Sequence, residues 1–266
     1  MKVKHKGAEV YIYTGGEEHK PGQDTIVFIH GAAMNHTVWT LLSRYWAKAS
    51  YNVVALDLPG HGLSGGDALP SIEQNADFVC DVIKGLGLDD SVCVVGHSMG
   101  SLVALESTIR LPATKCLAML GTTVPMRVGE PLLDAARENN HTSVDMISLF
   151  GHSYGSQIGS NPVAGISAQI LAERILESSA DGVMYTALNA CNEYKNGLDA
   201  ASQVTCPVGL ILGEYDQMTP RKTTAKVLQK FPDAVEICIP DCGHMMMSEK
   251  PEATHKALRT VIEGAQ

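Results

Sequence analysis

Gly96-His97-Ser98-Met99-Gly100 has the spacing G-x-S-x-G. The glycines permit a turn too sharp for side chains, which lifts a serine hydroxyl clear of the backbone. Such a serine attacks carbonyl carbon once a base takes its proton. The same spacing recurs in Gly151-His152-Ser153-Tyr154-Gly155, so the pattern alone does not choose between Ser98 and Ser153. Context does. The apolar run Val92-Cys93-Val94-Val95 reads as a buried strand entering the first match, and Ser101 to Leu111 reads as a helix leaving it. A serine on that turn sits at a helix N-terminus, where backbone N–H groups face developing negative charge. No such strand precedes Ser153, and residues 156–162 make a poor helix start. Ser98 is therefore the expected nucleophile, and Ser153 is expected in a mobile loop.

Ten histidines compete as its base. His244, in Asp241-Cys242-Gly243-His244, follows the last strand-like run. In a parallel sheet this is the carboxyl edge, where Ser98 also lies and where ligands bind. His30 and His97 also border strands, but each precedes a glycine turn and is expected to order its own loop. The imidazole needs an acid to fix its tautomer and steady its cation. Asp216, in Gly213-Glu214-Tyr215-Asp216, follows the preceding strand at the same edge. The order Ser, Asp, His suits a serine raised on a strand–helix turn. Glu214 and Asp241 remain rivals, and Asp216 has a plainer reading as a cap for the region of Thr219. Ala32, after His30-Gly31, offers a backbone N–H that can pair with that of Met99 as an oxyanion hole.

Positioning these groups needs a particular scaffold. Short apolar β-branched runs bounded by Gly, Pro or Asp occur at 25–30, 52–57, 91–96, 115–121, 207–213 and 234–240, as expected of strands covered on both faces. Helical periodicity fills the gaps. Ile72, Ala76, Val79, Ile83 and Leu86 share a helical face, with Ser71 and Gln74 as a capping box. Thr219-Pro220 reads as the cap and first residue of another helix, and 248–262 as the last. Residues 2–6 and 9–14 around Gly7 suggest an antiparallel hairpin. The expected fold class is α/β, a mostly parallel, doubly wound sheet. Residues 125–200 break the rhythm, with helical segments near 130–139, 142–150, 163–178 and 181–194. They are read as a helical cap inserted into a core formed by 1–124 and 201–266.

The chain has 266 residues and a formal net charge of −9. That balance disfavours nucleic acid and anionic membranes as partners, and no apolar run is long enough to span a bilayer. Seven scattered cysteines form no CxxC pair and no zinc spacing. Reduced thiols in a cytoplasmic protein are expected, with no metal and no organic cofactor. The sequence is silent on oligomeric state.

Together, His30-Gly31-Ala32, the stretch 57–64, Gly96–Gly100, 213–220 and Gly243-His244 with Glu249-Lys250-Pro251 resemble the α/β-hydrolase superfamily over nearly the whole chain. The resemblance implies Ser98, Asp216 and His244 as triad, Ala32 and Met99 as oxyanion hole, and 57–64 as a turn shaping the sheet edge. It implies a serine esterase acting on a small-molecule ester. Lactonase, thioesterase and carbon–carbon hydrolase are alternatives with the same triad; a lyase or a non-catalytic ligand-binding protein would be a different class. Methionines crowd the motif loops, and Met218 and Met245, beside the expected triad, are expected to touch substrate. No Arg or Lys cluster sits on a motif loop, so the substrate is expected to be uncharged.

Overall fold

Alternate residues of the central strands feed two different cores, and this fixes the architecture. The computed structural model describes residues 1–160, 164, 165 and 167–265. Its strands are β1 (Lys2–His5), β2 (Ala8–Tyr13), β3 (Thr25–Ile29), β4 (Asn52–Leu56), β5 (Val92–His97), β6 (Thr114–Leu120), β7 (Val208–Gly213) and β8 (Val235–Ile239). They form one sheet in the order β1-β2-β4-β3-β5-β6-β7-β8. The β1–β2 hairpin and the β2–β4 pair are antiparallel, and every later pair is parallel. Val27, Ile29, Val54, Leu56 and Val94 point to one face, where they meet α2 (Ile72–Gly85) and α3 (Met99–Thr108). Ile26, Phe28, Val53, Ala55 and Val95 point to the other, against Leu42 and Trp46 of α1 (Thr40–Lys48) and against the C-terminal helix. The period of two along each strand makes this division unavoidable.

Between β6 and β7 the chain leaves the sheet for α4 (Glu130–Arg137), α5 (Thr142–Phe150), α6 (Tyr154–Gln157), α7 (Ala168–Glu177), α8 (Val183–Glu193) and α9 (Gly197–Ala201). Leu133, Ile147, Ile175 and Leu188 of these helices bury a common core that also takes in Ala33, Met34 and Met245 from the sheet edge. The inserted helices thus share their core with the loops beneath them. The helix expected to begin near 163 begins at Ala168; residues 161–163 and 166 lie outside the described residues.

Local signals worked where one residue decides the geometry. Ser71 Oγ accepts from Gln74 N at 3.2 Å, as the capping pattern predicts. Two helix expectations need correction. Thr219 does not cap a helix; its side chain turns to Asp216, Pro220 precedes a 3₁₀ turn at Arg221–Thr223, and α10 runs only from Ala225 to Leu228. The last helix is split at Lys250 into α11 (Met246–Glu249) and α12 (Pro251–Glu263), with Pro251 opening the second piece. Proline suits a first helical turn and disfavours helical backbone in the residue before it. Among the described residues no helix is long and apolar enough to cross a membrane.

Candidate active site

Ser98 caps α3 with φ +53° and ψ −121°, outside the regions an L-residue favours. The flanking glycines make that turn possible. A Cβ on Gly96 would lie 2.0 Å from the Gly100 carbonyl oxygen, and one on Gly100 would lie 2.3 Å from that of Ile29. Ser98 N donates to Leu120 O at 2.9 Å, and its carbonyl accepts from Ser101 N and Ser101 Oγ. Among the described residues its own Oγ has no hydrogen-bond partner, and it opens into a cavity. Among the described residues the Ala32 and Met99 amides likewise have no acceptor, leaving both N–H groups available. The Gly31 loop packs so closely here that a Cβ on Gly31 would sit 3.3 Å from Ser98 Cβ.

His244 and Asp216 meet at the same sheet edge. His244 Nδ1 lies 2.8 Å from Asp216 Oδ2, with both side chains buried. Asp216 also accepts from Met218 N (2.9 Å), Thr219 N (2.8 Å) and Thr219 Oγ1 (2.7 Å). Burial pushes the Asp216 carboxyl up, but the His244 charge and these hydrogen bonds outweigh it and hold the group down at about 2. Glu214 and Asp241, the rivals in sequence, instead bond to one another across their turn, with Asp241 N donating to Glu214 Oε2 at 3.0 Å. Ser98 Oγ and His244 are not hydrogen-bonded to each other here. Such contacts commonly tighten only with substrate bound.

Two other histidines have roles beyond those expected. Burial, with the nearby His244 charge, lowers the His97 pKa to about 3. The neutral ring donates Nε2–H to the His244 carbonyl at 2.9 Å, so His97 ties the serine turn to the loop of the base rather than ordering its own loop. His30 is also lowered to about 3, by burial and by its neighbour His61. It accepts from Leu58 N through Nε2 (3.1 Å) and donates through Nδ1 to Gly31 O (2.8 Å). It thereby joins the Ala32 loop to the 57–64 turn, which Asp57 closes by accepting from His36 N and Leu63 N.

The second G-x-S-x-G match has a structural use. Ser153 is buried, where an open loop was expected, and its Oγ caps the short α6. The Gly151 carbonyl accepts from both His244 N (2.9 Å) and Met245 N (3.0 Å). Buried Glu249 accepts from Gly243 N (3.0 Å) and Ser153 N (2.9 Å), clamping the two loops together. Glu249→Ala should orphan both donors at about 1–3 kcal/mol each. Urea unfolding should show a lower midpoint at constant slope; an unchanged midpoint would remove the clamp.

The two methionines separate. Met218 lines the cavity with Ser98. Met245 does not; its N–H donates to the Gly151 carbonyl and its side chain packs into the core of the inserted helices, so its expected contact with substrate is corrected. The cavity measures about 330 Å³ and has mostly apolar walls, including Met126, Leu132, Phe150 and Leu188. Its one charged wall residue is Arg127, on the segment between β6 and α4. The expectation of an uncharged substrate rested on the motif loops alone, and Arg127 removes that ground. Thr219 and Glu249 were also missed from sequence. The spacing of Thr219 from Asp216 carried a weak turn signal, whereas Glu249 entered only as part of the stretch that resembles the superfamily, with nothing to mark its clamping role. The only grouping of metal-ligand type among the described residues, His141, Glu173 and Glu177, lies away from this cavity.

A family model described as "Alpha/beta hydrolase family" matches residues 26–257. The chain is 27% identical over 254 residues to "(E)-2-((N-methylformamido)methylene)succinate hydrolase" of Acinetobacter baylyi, covering 90% of each chain. It is 26% identical to "Pimeloyl-[acyl-carrier protein] methyl ester esterase" of Nitrosomonas europaea, covering 92% of this chain and 96% of that one. The enol-lactonase of Burkholderia xenovorans superposes with a TM-score of 0.83 at 20% identity, over 97% of this chain and 98% of that one.

Proposed function

The chain belongs to the alpha/beta hydrolase family, and from that premise we propose that it hydrolyses a small-to-medium carboxylic ester through an acyl-enzyme on Ser98. The observation that carries this reading is the buried His244–Asp216 contact of 2.8 Å at the sheet edge that also bears Ser98. In the proposed mechanism His244 Nε2 takes the Ser98 proton as Oγ attacks the ester carbonyl. The Ala32 and Met99 amides receive the oxyanion, and Asp216 balances the charge on the imidazolium. His244 then passes its proton to the leaving alcohol, and water repeats the cycle to free the acid. None of these steps calls for a metal or organic cofactor. The cavity size suits a small-molecule substrate, and residues 125–200 serve as its lid. The seven free thiols suit a reducing, cytoplasmic setting.

The relatives' names span a methyl ester and a substituted succinate, so they leave the acyl group open. Because an enol-lactonase shares the fold, the discriminating panel is p-nitrophenyl esters of graded acyl length, one lactone and one thioester. Preferential turnover of the esters supports the reading. A lactone or thioester turned over far faster than any ester would replace it, and labelling of the protein by a fluorophosphonate at a residue other than Ser98 would overturn the assignment of the nucleophile.

A further inference from the structure

We propose that Arg127 is a carboxylate-recognition residue, so that the preferred substrate is an ester carrying a second, free carboxylate. This rests on the ester-hydrolase reading and narrows its substrate class.

The first observation is position. Arg127 shares a cavity wall with Ser98, and no acidic side chain lines that cavity. The second is that its charge is unspent. The chain has seven arginines and an excess of acidic residues, 29 against 20 basic ones. The six other arginines each engage a partner: the Tyr13 hydroxyl for Arg44 and a carboxylate for every other. Among the described residues Arg127 has neither a hydrogen bond nor an ion pair, and Glu130, three positions away, does not pair with it. The third is a fixed base. Buried Met126 precedes it, and Val128 N donates to Asn192 Oδ1 of α8 at 3.3 Å, so the backbone is pinned on both sides of the side chain.

The surroundings select the kind of anion. A guanidinium presents a planar fork that matches one carboxylate through two parallel hydrogen bonds. A phosphate dianion would want further charged side-chain donors, and the neighbouring wall supplies the apolar side chains of Met126, Val128 and Pro131 instead. One positive charge beside a mostly apolar cavity is suited to a half-ester of a dicarboxylic acid. The scissile carbonyl would sit at Ser98, the methylene chain along the methionine and leucine side chains, and the free carboxylate at Arg127. Because Arg127 is exposed at the mouth, salt should weaken the preference.

The test compares p-nitrophenyl hydrogen glutarate and its longer homologues with p-nitrophenyl butyrate, using the full chain and Arg127→Gln and Arg127→Lys variants. The ratio of kcat/KM for the anionic over the neutral ester should fall roughly 10- to 100-fold in Arg127→Gln, mainly through KM, with partial recovery in Arg127→Lys. High salt should erode the wild-type ratio. A ratio unchanged by Arg127→Gln would overturn the proposal and identify Arg127 as a solvated surface residue. Calorimetric binding of glutarate and adipate gives a readout independent of turnover. Binding that needs Arg127 in a protein that hydrolyses neither ester would sustain the carboxylate site and overturn the hydrolase reading. Absence of diacid binding together with an unchanged ratio would overturn the site alone.

Discussion

Ser98→Ala is expected to lower kcat on the best ester by at least about 10⁴-fold, with residual activity left to the oxyanion donors and to binding. The replacement removes one oxygen that makes no hydrogen bond, so unfolding midpoints should barely move. The unusual backbone at φ +53° is held by glycine contacts and by the Ser98 N to Leu120 O bond, which the variant keeps. Ser153→Ala is the matched control within the second G-x-S-x-G. It removes the cap of α6, at about 1 kcal/mol, and should leave fluorophosphonate labelling intact. Reversal of the two results, with labelling lost in Ser153→Ala and kept in Ser98→Ala, would transfer the nucleophile to the inserted helices.

Asp216→Asn should cost on the order of 10⁴-fold in kcat while keeping the fold. The Asp216 carboxylate accepts four hydrogen bonds, two at each oxygen. An asparagine can accept at only one of those positions. Its amide group would face either the two backbone donors or the pair formed by Thr219 Oγ1 and His244, and in the second case the imidazole proton is driven to the wrong nitrogen. The variant also carries a pH signature. The Asp216 pKa lies at about 2, below the ordinary carboxyl value of 3.8. A depressed carboxylate stabilises the native state above its unfolded pKa and loses that contribution as pH falls toward the folded value. The shift corresponds to about 2 kcal/mol. The stability gap between wild type and Asp216→Asn should therefore be constant near neutrality and shrink between about pH 4 and pH 2. A gap independent of pH across that window would mean that Asp216 is not held ionised by these partners.

What could be read from the sequence followed from local rules. Five of the six runs are largely buried and were legible because doubly covered strands leave little room for polar residues; the sixth, β8, is an edge strand and only half-buried, against the expectation of cover on both faces. Ser98 was legible because strand, tight turn and helix abut within a dozen residues. His244 and Asp216 were legible because the ends of parallel strands collect at one edge. The rest depended on contacts between segments far apart in the chain. Nothing near Glu249 announces that its carboxylate reaches Gly243 and also Ser153, 96 positions away. Met245 resembled Met218 in sequence, yet one turns into the inserted core and the other into the cavity. Arg127 escaped notice because it lies between a strand and a helix, in a segment with no motif. Its significance comes from what does not surround it.

The Gly151 carbonyl, which receives the N–H groups of His244 and Met245, makes the inserted helices a poor interchangeable part. Chimeras that trade such insertions between relatives treat them as modules joined at two seams, one after β6 and one before β7. In this chain a third seam runs through space, from residues 151–153 to the loop of the base. A donor insertion cut at the two covalent seams would arrive without the acceptor that seats His244. Such a graft would recover its chemistry only if it carried an equivalent of the 151–153 turn for Glu249 of the retained core to clamp.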